Sequence, residues 1–245
     1  MYLTSLSQRF EKSSIHLTEQ LKMRGNKYER ARIVFDLDGT LIDSAPDIRS
    51  IANASLSKID VAPITLEETH SFIGEGIQNF VERMRKARDV SDEYQTLLLE
   101  EMTARYESAV ELTVMYPGVL EALTTLEQSH QLGICTNKLH RPSIAILKHL
   151  KIEKYFQTVW GGDNPLARKP DPAPLKAAFD ELGSGLCIYV GDSEIDAETA
   201  KRAEVPFILF TEGYRKIPVD EIPHDMALNS FSELATKINE IIAQT

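Results

Sequence analysis

Hydrophobic spacing along the chain changes character twice, and the changes divide it into three stretches. A short apolar run ending in Val34-Phe35 has the β-branched and aromatic content of a strand, and it stops at the acidic pair Asp36 and Asp38. From about Ala45 to Val114 the spacing becomes helical. Ile48, Ile51, Ala52 and Leu56 define one face, while Leu97, Leu98, Met102 and Tyr106, with polar Glu101 among them, define a second. Pro63 and the Gly74-Glu75-Gly76 turn punctuate this region, and nothing in it alternates as a strand does.

Beyond Pro117-Gly118 strands return. Helices are predicted over Val119 to Ser129, Pro142 to Leu150, Ala173 to Leu182, Glu194 to Ala203 and Phe231 to Ala243. Between them, short apolar runs predict strands over Leu132 to Thr136, Thr158 to Trp160, Leu186 to Val190 and Phe207 to Phe210. Such alternation implies an α/β fold: a Rossmann-like, doubly wound parallel sheet with helices on both faces. The expected organisation is an N-terminal extension over 1–30, a core built from 31–44 and 116–245, and an inserted all-helical domain over 45–115. Ligands of such sheets bind beyond the carboxyl ends of the strands.

Composition narrows the function classes. A hydrophobic content of 42% supports a well-buried core, and a net charge of −10 argues against nucleic acid or an anionic membrane as partner. An acidic protein that binds an anion must concentrate positive charge locally. No apolar run is long enough to span a bilayer. The polar first thirty residues, with Arg9, Glu11, Lys12 and Glu19, do not read as a secretory signal. Cys135 and Cys187 lie in apolar, strand-like runs and read as two buried thiols of a reducing cytoplasm.

Four clusters carry candidate chemistry. Asp36 and Asp38 share a face if the strand continues through them, and Gly39 turns the chain away. One carboxylate can bind a cation and attack while the other handles a proton, which suits magnesium-dependent phosphoryl transfer through a covalent carboxylate intermediate. The plain alternative is that the pair caps a turn. Thr136-Asn137-Lys138 follows the next strand, and its hydroxyl and backbone N–H groups suit phosphoryl oxygens, or it is an ordinary polar turn. Lys169 sits in Arg168-Lys169-Pro170-Asp171-Pro172, where the prolines stiffen the loop and hold an ammonium for charge stabilisation, or leave it in solvent. Asp192 ends the strand before Ser193, as metal ligand or helix cap, and Asp196 on the following turn can reach back toward the same place.

Taken together and in order, these clusters resemble the four motifs of the haloacid dehalogenase superfamily, and the helical insert falls where that superfamily places its first type of cap. The resemblance implies that Asp36 is the nucleophile, forming an aspartyl-phosphate, and that Asp38 protonates the leaving oxygen and then activates water. It implies that Thr136 binds the phosphoryl group and Lys169 stabilises its charge. Asp36, Asp192 and the main-chain carbonyl of Asp38 would hold Mg2+, with Asp196 orienting Lys169 or a metal-bound water. The presence of Asp38 argues against a dehalogenase, since carbon–halogen cleavage needs no acid there.

Within the superfamily, Asp43-Ser44-Ala45-Pro46-Asp47-Ile48, Phe72-Ile73-Gly74-Glu75-Gly76, Tyr116-Pro117-Gly118-Val119 and Lys169-Pro170-Asp171-Pro172-Ala173-Pro174 are similar to phosphoglycolate phosphatases. That resemblance implies a small phosphorylated metabolite, 2-phosphoglycolate, as substrate. A sugar phosphomutase of the β-phosphoglucomutase type shares much of the pattern. Leu139-His140-Arg141 departs from it, where a proline and small residues are expected. Gly74 is expected to bring a tight turn into the active site, or to make a plain turn between helices. Lys138 is either a partner for a substrate carboxylate or a surface lysine. Asn137 joins Thr136 as a candidate substrate contact.

Overall fold

The computed structural model of the protein describes residues 30–165 and 167–244. Residues 1–29, and so nearly all of the expected extension, lie outside the described residues. A six-stranded parallel sheet forms the frame, in the order β5-β4-β1-β6-β7-β8. The strands are β1 (Ala31–Phe35), β4 (Gln131–Cys135), β5 (Thr158–Trp160), β6 (Leu186–Gly191), β7 (Phe207–Phe210) and β8 (Met226–Leu228). Helices α5 (Val119–Leu126), α6 (His140–His149), α7 (Ala173–Glu181), α8 (Glu194–Ala203) and α9 (Leu234–Gln244) connect or follow them.

Period-two alternation sorts each strand between the two helical layers. Ile33 and Phe35 of β1, Ile188 and Val190 of β6, and Ile208 and Phe210 of β7 pack with Leu123 of α5, Leu147 of α6 and Ile238 of α9. The intervening Val34, Tyr189, Phe207 and Leu209 pack with Leu175 and Phe179 of α7 and Ala197 and Ala200 of α8. The sheet is therefore doubly wound. The chain leaves β1 for β4 and β5 on one side, then crosses to β6 on the other. That reversal opens a crevice at the carboxyl ends of β1, β4 and β6, the place where doubly wound sheets bind ligands.

The insertion holds α1 (Ala45–Ser57), α2 (Leu66–Phe72), α3 (Ile77–Lys86) and α4 (Gln95–Tyr106) around its own apolar cluster. Both expected faces contribute to that cluster, except that Leu97 is exposed and Glu101 pairs with Lys58. The i, i+4, i+8 stripe Leu98-Met102-Tyr106 wins the interior, and Leu97 lies off it. Thr65 and Glu68 form a reciprocal cap at the start of α2. Arg88 grips Glu68 through two hydrogen bonds and also donates to the carbonyls of Ala62 and Pro63.

Three expectations need correction. The stretch read as wholly helical ends in a strand, β3 (Val114–Met115), paired antiparallel with β2 (Ile42–Asp43). Two residues are too few to show alternation, and the partner lies some seventy residues away. β8, a three-residue edge strand, was not among the expected strands. Helix α6 starts at His140, with Pro142 inside its first turn, where a missing N–H costs no hydrogen bond. Cys135 is buried, its thiol pushed up to about 12 by burial, whereas Cys187 is only half-buried and accepts from Arg32. Among the described residues no helix is long and apolar enough to cross a membrane.

Candidate active site

Asp36 follows β1 directly, its N–H donating to Val190 O at 2.9 Å, so the sheet itself fixes the first carboxylate. Gly39 makes the turn that follows. Its φ is +87°, and a Cβ there would meet Asp192 Oδ2 at 2.5 Å, so both backbone conformation and space require glycine. Asp192 follows β6. Its Oδ1 accepts from the Thr40 hydroxyl at 2.8 Å and its Oδ2 from the Tyr214 N–H at 2.6 Å. Asp196, on the first turn of α8, reaches back and completes a cluster. One oxygen each of Asp36, Asp192 and Asp196 lie within 4.8 Å of one another, all three residues buried.

The three carboxylates are not equivalent. Asp196 Oδ1 accepts from Lys169 Nζ at 2.7 Å and Tyr189 Oη at 2.8 Å, while Oδ2 accepts from Ser193 Oγ and from the N–H groups of Asp192 and Ser193. Burial pushes its pKa up, but the charge and hydrogen bonds of Lys169 outweigh this and hold it below the ordinary value. Asp36 is raised to about 6, chiefly by burial, with Lys169 opposing and Asp196 adding to the rise. Asp192 is pushed well above the usual carboxylate range by burial, then by its neighbours Asp196 and Asp36. Lys169 lies 2.9 Å from Asp36 Oδ1, an ion pair without a hydrogen bond, so that buried oxygen has no hydrogen-bond partner.

An orphaned carboxylate oxygen beside a second carboxylate whose ionised form is disfavoured is a donor set that fits a hard divalent cation. Asp196, with both oxygens filled, positions Lys169. Asp38 stands apart from this cluster. Its carboxylate pairs with Lys138 Nζ at 3.2 and 3.3 Å and accepts from Ser44 Oγ at 2.5 Å. Any contribution of Asp38 to a cation therefore comes from its main chain.

Lys138 is no surface lysine. Its side chain is 2% exposed. Burial alone lowers an ammonium pKa, but Asp38 and then Tyr106 more than offset this, and the group is raised well above its ordinary value. Tyr106 of α4 accepts from Lys138 Nζ at 3.2 Å. The Asn137 amide is spent on the protein: it accepts from Lys169 N and donates to Lys169 O and Gly74 O. It thereby ties the lysine loop to the insertion. Thr136 lies at the end of β4, buried, and lines the same cavity as Asp36, Asp38, Gly74 and Lys138. Gly74, with φ +119°, sits where a Cβ would come within 3.2 Å of Ile195, so the turn does enter the crevice. The Lys169–Pro170 peptide is cis.

Sequence reasoning missed Thr40, Ser44, Tyr106, Tyr189 and Tyr214. Thr40 stands inside the first motif and Ser44 inside the Asp43-Ser44-Ala45-Pro46 segment, so these two have a local signal. Tyr106 fell on a helical stripe that reads as core. Tyr214 comes from the segment after β7; its hydroxyl donates to Asp43 Oδ1 and accepts from the Ser44 and Ala45 N–H groups.

A family model for haloacid dehalogenase-like hydrolases matches residues 33–210. The chain belongs to this family. It is 40% identical over 205 residues to a phosphoglycolate phosphatase of Rhodobacter capsulatus, covering 82% of this chain and 94% of the relative. A phosphoglycolate phosphatase of Cereibacter sphaeroides is 41% identical over 215 residues, covering 86% and 99%. Among solved structures, one described as a predicted phosphoglycolate phosphatase from Haemophilus somnus 129pt superposes with a TM-score of 0.80 at 24% identity, covering 86% of this chain and 99% of its own; this shows the shared fold. The chain is a phosphoric monoester hydrolase of this family, and Asp36, Asp38, Lys169 and Asp192 lie together at the strand ends where its fold binds ligands.

Proposed function

We propose that this hydrolase cleaves 2-phosphoglycolate to glycolate and phosphate through an aspartyl-phosphate on Asp36. The observation that carries the reading is Asp36 itself: a buried carboxylate with one oxygen free of hydrogen bonds and an ammonium at 2.9 Å. A carboxylate so placed is desolvated and charge-compensated, which suits a nucleophile. Asp36, Asp192 and the Asp38 main-chain carbonyl would hold Mg2+, which when bound supplies charge neutralisation to attacking and transferring oxygens.

An Asp36 carboxylate oxygen attacks phosphorus and the bond to the glycolate oxygen breaks. Asp38, entering the step in its protonated form while Lys138 turns to the substrate carboxylate, gives that oxygen a proton. Lys169 and Thr136, with main-chain N–H groups around Asn137, hold the charge spread over the phosphoryl oxygens. Asp38, now ionised, takes a proton from water, and the water oxygen displaces the Asp36 oxygen from phosphorus. Phosphate leaves and both carboxylates return to their starting states. Asp196 keeps Lys169 in place throughout. Lys138 is the cation for the substrate carboxylate.

In this reading 45–115 acts as a cap, with the turn at Gly74 excluding bulk water from the acyl phosphate. The β2–β3 ribbon is where the two chain crossings meet and where the pivot lies. The relatives named above support the choice of substrate. The test is phosphate release with Mg2+ from 2-phosphoglycolate, hexose phosphates, pyrophosphate and β-glucose 1-phosphate. A kcat/KM for 2-phosphoglycolate well above the others supports the assignment. Comparable rates on all esters overturn the substrate while keeping the chemistry, and conversion of the sugar phosphate without phosphate release points to a mutase.

A further inference from the structure

We infer that Tyr106, supplied by the helical insertion, forms with Lys138 a two-point receiver for a carboxylate, and that this receiver restricts the site to short phosphorylated acids. The inference rests on the reading of the site given above and adds to it a residue that selects substrate.

Lys138 Nζ donates to Tyr106 Oη at 3.2 Å and lies 4.3 Å from the centre of the Tyr106 ring, so the ring face and the hydroxyl both hold the ammonium. A phenol that accepts a hydrogen bond keeps its own hydrogen to donate, and the Lys138 ammonium, whose hydrogens here go to the two Asp38 oxygens and to Tyr106, turns a donor from Asp38 to an incoming carboxylate. No acceptor for the Tyr106 hydroxyl hydrogen occurs among the described residues. The two side chains therefore offer converging donors of the kind a carboxylate takes with two oxygens. Both border the cavity that contains Asp36 and Asp38.

The other side chains that the insertion gives to that cavity are apolar. Ile48, Ile77, Phe80 and Met102 line the cavity and are buried. They offer nothing to the hydroxyls of a sugar, and a buried hydroxyl without a partner is disfavoured. Length is set by the opposite end. Lys169 stands against Asp36 and Lys138 against Asp38, so two cations bracket carboxylates only two residues apart in sequence. A ligand that meets both carries its second anionic group close to the phosphoryl oxygen. Because Lys138 comes from the core and Tyr106 from the insertion, the receiver exists only when the two are packed as they are here.

The experiment compares kcat/KM for 2-phosphoglycolate and ethyl phosphate, which replaces the carboxylate by a methyl group. The wild-type ratio is expected to be on the order of a thousand, since a site built to pair a charged group rejects the analogue lacking it. Tyr106→Phe should lower that ratio about tenfold, with the loss falling on KM for the acid. Lys138→Met should bring it near one, and Lys138→Arg should recover part of it. A Tyr106→Phe ratio within about twofold of wild type, or an equal loss on both esters, overturns the inference. The wild-type comparison stands even if a variant fails to fold: equal hydrolysis of both esters overturns the receiver but leaves the aspartyl-phosphate chemistry intact. Hydrolysis of neither overturns the substrate reading and the receiver with it.

Discussion

Two buried lysines stand in one crevice, and they are held in different ways. Lys169 takes all its direct partners from the core: Asp196 and Tyr189 take its ammonium, and Asn137, itself bonded to Gly74 of the insertion, holds its main chain on both sides. Lys138 also springs from the core, but half of its support, Tyr106, comes from the insertion. Both are raised far above the ordinary lysine pKa against the effect of burial, by Asp196 and Asp36 in one case and Asp38 and Tyr106 in the other. The charge is the same and the frame is not. A cation on a rigid frame suits work that every substrate needs, whereas one shared between two layers suits work that depends on which substrate has brought the layers together.

That contrast is breakable. Lys169→Met should abolish turnover of every phosphate ester by a hundredfold or more, because it removes the charge beside Asp36 whatever the leaving group. If instead the loss depended on the ester, the two lysines would share one role. Asp196→Asn keeps Lys169 but weakens its hold, and about a ten- to hundredfold fall in kcat is expected, equal for all esters. Steady-state rates on the same ester panel check both.

Smaller effects separate the insertion from the core. The hydrogen bonds of Arg88 hold Glu68 down to about 2, with the guanidinium also bound to two carbonyls of the loop before α2. Arg88→Met should cost about 1 kcal/mol by thermal or urea unfolding, the pair being partly exposed. Since Glu68 is depressed in the folded protein, its contribution is full above about 4.5 and is lost as pH falls toward 2. In the core, His130 Nδ1 accepts from Ala31 N–H at the start of β1. Burial lowers the pKa of this imidazole, so the unfolded chain takes up the proton first and stability falls as pH drops below about 6.5. His130→Gln should flatten that part of the pH–stability curve, as read by unfolding midpoints between pH 5 and 8.

The same contrast explains what was legible in the sequence. Asp36, Asp38, Thr136 and Asp192 follow strand ends in the core, where the sheet's geometry puts motif residues at one crevice and local spacing reveals them, and Lys169, in the loop between β5 and α7, is marked by its flanking prolines. Asp196 was legible for the same reason, one helical turn beyond Asp192. Asn137 and Gly74 were read as candidate contacts, but the bond that joins them spans 63 residues and has no local signature. Tyr106 satisfied a helical stripe, and its polar end met Lys138 only through packing of α4 against the core. Lys138 gave no sign of its burial, because a lysine after a strand most often reaches solvent. The β2–β3 ribbon was invisible because its pairing is long-range and each strand has two residues.

The central claim is that Asp36 carries the phosphoryl group. Its most direct test is phosphate release from 2-phosphoglycolate with Mg2+ by the wild-type protein and by Asp36→Asn, which keeps shape and removes the nucleophilic charge. The account expects a loss of at least about a thousandfold with the fold unchanged by circular dichroism. An Asp36→Asn protein that releases phosphate at a rate close to wild type would contradict it.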